Sequence, residues 1–142
     1  MAGADVAATP HGGAVNGVPR VLLRVEGALV FAACLLAYRW LGESWWLFAA
    51  LFLVPDVSML GYLANPRTGA ACYNAAHTGA APGLLAVVSM LAGSSFLLSL
   101  AVIWVAHIGF DRMLGYGLKY ASGFGDTHLG RIGRAAAAGN TR

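Results

Sequence analysis

Four apolar runs separated by short polar turns dominate the chain. The first, RVLLRVEGALVFAACLLAY (20–38), opens on Arg20 and Arg24 and closes at Arg39-Trp40; the turn LGES (41–44) follows. The second, WWLFAALFLVPDVSMLGYLA (45–64), is interrupted by Pro55-Asp56 and ends in the turn NPRTG. The third, AACYNAAHTGAAPGLLAVVSMLA (70–92), carries Asn74 and His77 early and Pro82-Gly83 in its middle. The fourth, FLLSLAVIWVAHIGF (96–110), ends at Asp111-Arg112 and needs Met113-Leu114 to reach across a bilayer. A helix needs about 20 apolar residues to cross the hydrocarbon, and Pro55 is expected to kink the second run or free a carbonyl there. The pattern predicts an all-α, polytopic membrane four-helix bundle with an interfacial C-terminal segment. Its parts are a disordered N-terminal tail (1–18, with His11 solvated), the four-span domain (19–114), a glycine-punctuated cytoplasmic interfacial segment (115–134), read as part loop and part short helix, and a disordered end (135–142).

Composition supports this class. Of the 142 residues, 58% are hydrophobic and 11% charged, against about 25% charged in a soluble domain. The basic residues punctuate run ends as membrane anchors do, which argues against nucleic acid as a partner and for the lipid bilayer. Arg20, Arg24, Arg67, Arg112, Lys119, Arg131 and Arg134 fall on one side and Arg39 on the other. The positive-inside bias then puts both termini in the cytoplasm and the chain in the cytoplasmic membrane. Residues 1–18 lack the basic start and apolar core of a cleaved signal peptide. Cys34 and Cys72 fall in different spans, too far apart for a disulfide.

The candidate chemistry lies at one depth. Counted at about 1.5 Å per residue, Glu26, Asp56, Asn74, His77 and His107 all lie within roughly 6 to 12 Å of the cytoplasmic face, with Asp111 at its edge. They come from all four runs, whereas the other half of the bilayer holds little that is polar. Ionisable groups in a span are costly and mark function by default. His107 and Asp111, four apart, share a helix face. Each residue also has a plain reading. Glu26 can snorkel with Arg24, Asp56 can cap a broken helix, Asn74 can bond between helices, His77 can be a packing histidine, and Tyr62, Tyr73 and Tyr116 fit an interfacial belt. The coincidence of depth favours one pocket.

Such a pocket suits a membrane-embedded enzyme at the cytoplasmic leaflet, with Glu26, Asp56, His107 and Asp111 as the catalytic set. Acid–base chemistry or metal-assisted hydrolysis, isomerisation or cyclisation of a hydrophobic or amphiphilic small molecule would fit. A divalent metal would take His77, His107 and Asp111, since imidazole and carboxylate suit Zn, Fe or Mn. Asn74, Lys119 and Arg131 would hold the substrate, Lys119 and Arg131 through an anionic head group. In this reading GDTHLGR (125–131) folds back as a lid and supplies Asp126 or His128. The alternatives are a small proton-coupled transporter, closed by a homo-oligomer, and a non-enzymatic accessory protein whose polar network fixes packing.

The glutamate of LLRVEG, SWWLFAALFLVPDVSMLGYL, NAAHT, AHIGFDRMLGYGLKY and GFGDTHLGRIG together resemble a small bacterial family of four-span integral membrane proteins known only as a domain of unknown function. The resemblance covers about Leu22 to Gly133. It implies a polytopic membrane protein of this size and no particular activity.

Overall fold

The structure, a computed structural model, describes residues 13–133. The chain is helical: α1 (Gly17–Leu41), α2 (Trp45–Phe52), a 3-10 helix (Val54–Leu63), α3 (Pro66–His77), α4 (Ala80–Leu91) and α5 (Ser95–Leu114), then a small hairpin of β1 (Asp126–Thr127) and β2 (Gly130–Arg131). Among the described residues, three stretches are long and apolar enough to cross a membrane: Gly17–Leu41, Trp45–Leu63 and Ser95–Leu114. The bundle's outward surface carries exposed Leu22, Leu29, Leu36, Leu60, Leu84 and Leu91, as a lipid-facing surface would.

Local chemistry sets the ends. Gly42, at φ 74°, closes α1 in the left-handed region, where glycine carries no Cβ penalty. The Ser44 hydroxyl accepts from the Trp46 N–H, 3.2 Å, and starts α2. Pro55 cannot donate to the helix ladder, so α2 stops at Phe52 and the pass continues as a 3-10 helix to Leu63. Asn65 accepts from the Thr68 N–H at 2.8 Å with Pro66 behind it, and so starts α3. Gly115, at φ 94°, ends α5 with the Gly115 N–H on the Arg112 carbonyl and the Tyr116 N–H on the Asp111 carbonyl, the Schellman arrangement.

The third apolar run differs from its expected form. It is two helices of 12 residues each, α3 and α4, parted at Thr78, whose backbone is extended (φ −84°, ψ 148°). Neither half is long enough to span alone. The segment after α5 also differs: among the described residues it contains turns and the hairpin and no helix. Asp126 pairs with Arg131 and Thr127 with Gly130; Gly130, at φ 108°, and the other glycines favour turns over a helix. The described part of the expected N-terminal tail is held in place. Val15 donates to the His128 carbonyl, Tyr120 donates to the Gly13 carbonyl, and α1 already begins at Gly17. Residues 1–12 and 134–142, including His11, lie outside the described residues.

Helix α5 is the centre of the bundle, packed by α1, α4 and α2. It meets α1 backbone to backbone at Gly27 and Gly109. A Cβ on Gly109 would lie 2.9 Å from the Phe31 nitrogen, and one on Gly27 would lie 2.9 Å from the Gly109 oxygen. Small residues allow this approach. Toward the start of α2, Tyr38, Phe48, Ile103 and Ala106 form a buried apolar core. Phe31, Phe52 and Phe110 continue it, and the Phe52 ring sits edge-on to the His107 ring at 5.4 Å.

Candidate metal centre

The two interrupted passes meet α5 at one level. Asp56 follows the Pro55 break directly, and His77 is the last residue of α3 before the Thr78 break. His107 and Asp111 present one face of α5 to both. His77 Nε2 lies 3.1 Å from His107 Nε2. Asp56 Oδ1 lies 3.4 Å from each of these nitrogens. Asp111 Oδ2 lies 3.5 Å from His77 Nε2 and 3.7 Å from His107 Nε2. All four donor atoms fall within 4.8 Å of one another. Both imidazoles are buried, and the Asp56 carboxylate is the more exposed of the two acids.

The surroundings orient these groups. The His77 Nδ1–H donates to the Tyr73 carbonyl, 2.8 Å, one turn back on α3. This leaves the His77 Nε2 lone pair directed into the cluster. The Tyr73 hydroxyl donates to Asp111 Oδ2 at 2.8 Å, and its ring stacks on His77 with centroids 3.7 Å apart. The Trp104 indole N–H donates to the Ala76 carbonyl, 2.7 Å, and ties the end of α3 to α5. His107 Nδ1 is buried without a partner among the described residues, so that ring makes its polar contacts through Nε2. The C-terminal end of α3, the negative end of its dipole, points its last turn toward the cluster and favours positive charge there.

A cavity of about 210 Å³ adjoins the cluster, lined by Asp56, Tyr73 and Asp111 from the bundle and by Tyr116, Lys119 and Phe124 from the C-terminal segment, among others. Lys119 is buried at its wall. Its ammonium donates to the Phe124 carbonyl, 3.0 Å, and lies over the Phe124 ring at 3.8 Å and the Tyr73 ring at 4.6 Å. Burial holds it below the ordinary lysine range. Asn74 fixes this segment, accepting from the Lys119 N–H at 2.7 Å and donating to the Lys119 carbonyl at 2.9 Å.

The structure thus brings together Asp56, His77, His107 and Asp111, with Asn74 and Lys119 beside them, and separates others expected with them. Glu26 is exposed and makes no ion pair among the described residues. Its neighbour Gly27 faces α5, and at 3.6 residues per turn the next position points away. Arg131 pairs with Asp126 at 3.3 Å and lines a different pocket. Asp126 also accepts from Ser122, and His128 Nδ1 accepts from the Leu118 N–H. Both residues hold the hairpin and contribute no atom to the cluster. The segment does fold over the site, but it brings Lys119 to it. Tyr73, expected in an interfacial belt, is buried and bonded to Asp111. The signal for it was its position four residues before His77, on the same helix face.

Residues 20–132 match the family model described as Domain of unknown function (DUF4260). No curated protein and no solved structure matches the chain.

Proposed function

The chain belongs to the DUF4260 family, and from that premise we propose a membrane-embedded, metal-dependent enzyme that acts on an amphiphilic small molecule at one face of the bilayer. One observation carries this reading: the shape of the donor set. Ligands about 2.0 to 2.1 Å from a tetrahedral ion stand about 3.3 to 3.4 Å apart. Five of the six donor-to-donor separations run from 3.1 to 3.7 Å, and the sixth, Asp56 to Asp111, lies within 4.8 Å. Two imidazoles and two carboxylates suit Zn²⁺, with Fe²⁺ or Mn²⁺ as the nearest competitors. Tyr73 supports the set from behind, through its carbonyl on His77 and its hydroxyl on Asp111, as metal ligands are commonly supported.

Bound there, the ion would supply Lewis acidity beside a cavity that an amphiphile's polar end can enter. Asp56, the most exposed donor, lines that cavity; it would be the ligand that leaves the ion to open a position for substrate, and its freed carboxylate would then be the group best placed to exchange a proton. Hydrolysis, isomerisation or cyclisation each suits this arrangement. The family likeness and the basic run ends favour a bacterial inner-membrane protein with four passes, α3 and α4 sharing one of them, and with both termini cytoplasmic.

The test is elemental analysis of the full chain purified in detergent after loading with Zn²⁺ and desalting. About one equivalent is expected for the wild type and well under a tenth for His77→Ala and Asp111→Asn. Loaded protein is then assayed against amphiphilic esters and phosphodiesters in mixed micelles. Zinc-free wild type, or turnover unaffected by either substitution, would sink the reading. A metal-free acid–base relay is the second reading, favoured by the same 3.1 Å His77–His107 contact, which is also hydrogen-bond length. It predicts turnover that survives chelation.

A further inference from the structure

Lys119 raises a question of charge that the metal centre leaves open. It is 5% exposed, and its ammonium has no carboxylate within 4.0 Å among the described residues. One of its three N–H donors goes to the Phe124 carbonyl; the aromatic faces of Tyr73 and Phe124 cover much of the rest. A buried cation so placed is costly unless something negative meets it. The acids lining the same cavity are Asp56 and Asp111. Two neutral imidazoles and two carboxylates carry two negative charges, and a divalent ion cancels both. The walls are then left with the single positive charge of Lys119, among the apolar side chains of Met59, Phe124 and Ile132.

We propose that this cavity is a binding site for a monoanionic oxyanion, a carboxylate or a phosphodiester, paired with Lys119 and dependent on the metal for its affinity. The inference rests on the metal reading above and names the polar end of its substrate. Without the ion, Asp56 and Asp111 repel the incoming anion and themselves balance Lys119. With the ion bound, that repulsion is gone and Lys119 is unpaired. A dianion would overshoot the charge. The volume, about 210 Å³, is enough for a head group and a short stub. Asn74, which clamps the Lys119 backbone on both sides, is a positioning residue for this site.

Titration calorimetry on the full chain in detergent tests the inference, with zinc content measured on the same samples. Acetate and dimethyl phosphate are the probes and inorganic phosphate is the charge control. Zinc-loaded protein is expected to bind a monoanionic probe at least tenfold more tightly than zinc-free protein. By linkage the anion then tightens zinc by the same factor. Lys119→Met is expected to abolish that gain while keeping its zinc, and Lys119→Arg to retain most of it. Comparing dimethyl phosphate with dodecyl methyl phosphate, corrected for micelle partitioning, separates the sources: a tighter long-chain probe points to a lipid, equal affinities to a soluble anion. Equal anion affinity with and without zinc, or an unchanged Lys119→Met, overturns this inference and leaves the metal centre standing. Failure to take up zinc overturns the premise and the inference together.

Discussion

The two halves of α5 run through different surroundings. Near Ile103 and Ala106 the helix is packed by Tyr38 and Phe48, and the polar atoms there are satisfied locally: Ser99 donates to the Ser95 carbonyl one turn back, and Tyr38 donates to the Ser44 carbonyl. From His107 to Asp111 it keeps its contact with α1 through Gly109 but turns its polar face to the ends of two interrupted passes, and the polar side-chain contacts there run chiefly across elements. An unbroken helix spends its backbone groups on itself and offers neighbours only side chains. A pass interrupted at Pro55 or Thr78 brings helix ends, with their charge preferences and free carbonyls, to the interior of the bundle. Irregular backbone at membrane depth is tolerated where it is buried in protein, and such breaks commonly surround polar sites.

A pair of substitutions one turn apart breaks this comparison most sharply. His107→Ala is expected to lower zinc affinity more than 100-fold, beyond the 10- to 100-fold typical of a supporting residue, as read by competition with a chelating dye. Ile103→Ala is expected to leave zinc stoichiometry intact and cost about 2–5 kcal/mol of stability, as read by thermal unfolding in detergent. If both changes gave the same pattern, the two halves would not be functionally distinct.

Tyr73→Phe removes one supporting hydrogen bond and keeps the ring on His77. About a 10-fold weaker metal affinity is expected with unfolding unchanged. A larger loss of stability than of affinity would move Tyr73 to the packing half of the comparison.

A smaller effect is expected from pH at the C-terminal segment. Burial lowers the His128 pKa below the ordinary imidazole range, near 6.5. The neutral ring accepts the Leu118 N–H at 2.8 Å. The folded segment therefore binds the proton less readily than the open one. Its stability is fully present above about pH 6.5 and is lost as pH falls through the lowered folded value. Hydrogen-exchange protection of the Leu118 amide, corrected for intrinsic rate, should drop over that window, and His128→Gln should flatten the dependence. The smallest effect is expected at Glu26, where Glu26→Gln should change stability by less than about 0.5 kcal/mol and leave zinc binding as it was.

Much of this was legible along the chain because lipid imposes simple rules. Long apolar runs mark helices, Pro55 marks a break, and ionisable residues at a shared depth mark a site. His107 and Asp111 were legible as a pair from their spacing alone. The rest depended on rotation and on long-range approach. Depth along a helix says nothing of which way a residue faces, so Glu26 counted with the cluster although its neighbour Gly27 holds the contact with α5. The break at Thr78 lacked a proline at the break itself, so the third run read as one helix.

The sequence by itself determined the helical membrane class, the level at which polar groups collect, and the two α5 residues that face the site. These follow from hydropathy and from the period of the helix, which are local properties. Tertiary structure decided that Asp56 and His77 join them while Glu26 does not, that Tyr73 supports them, and that Lys119 arrives from a segment beyond the helices. Those outcomes depend on how each element is turned about its axis and on which chain ends meet, and close packing across the whole bundle settles both.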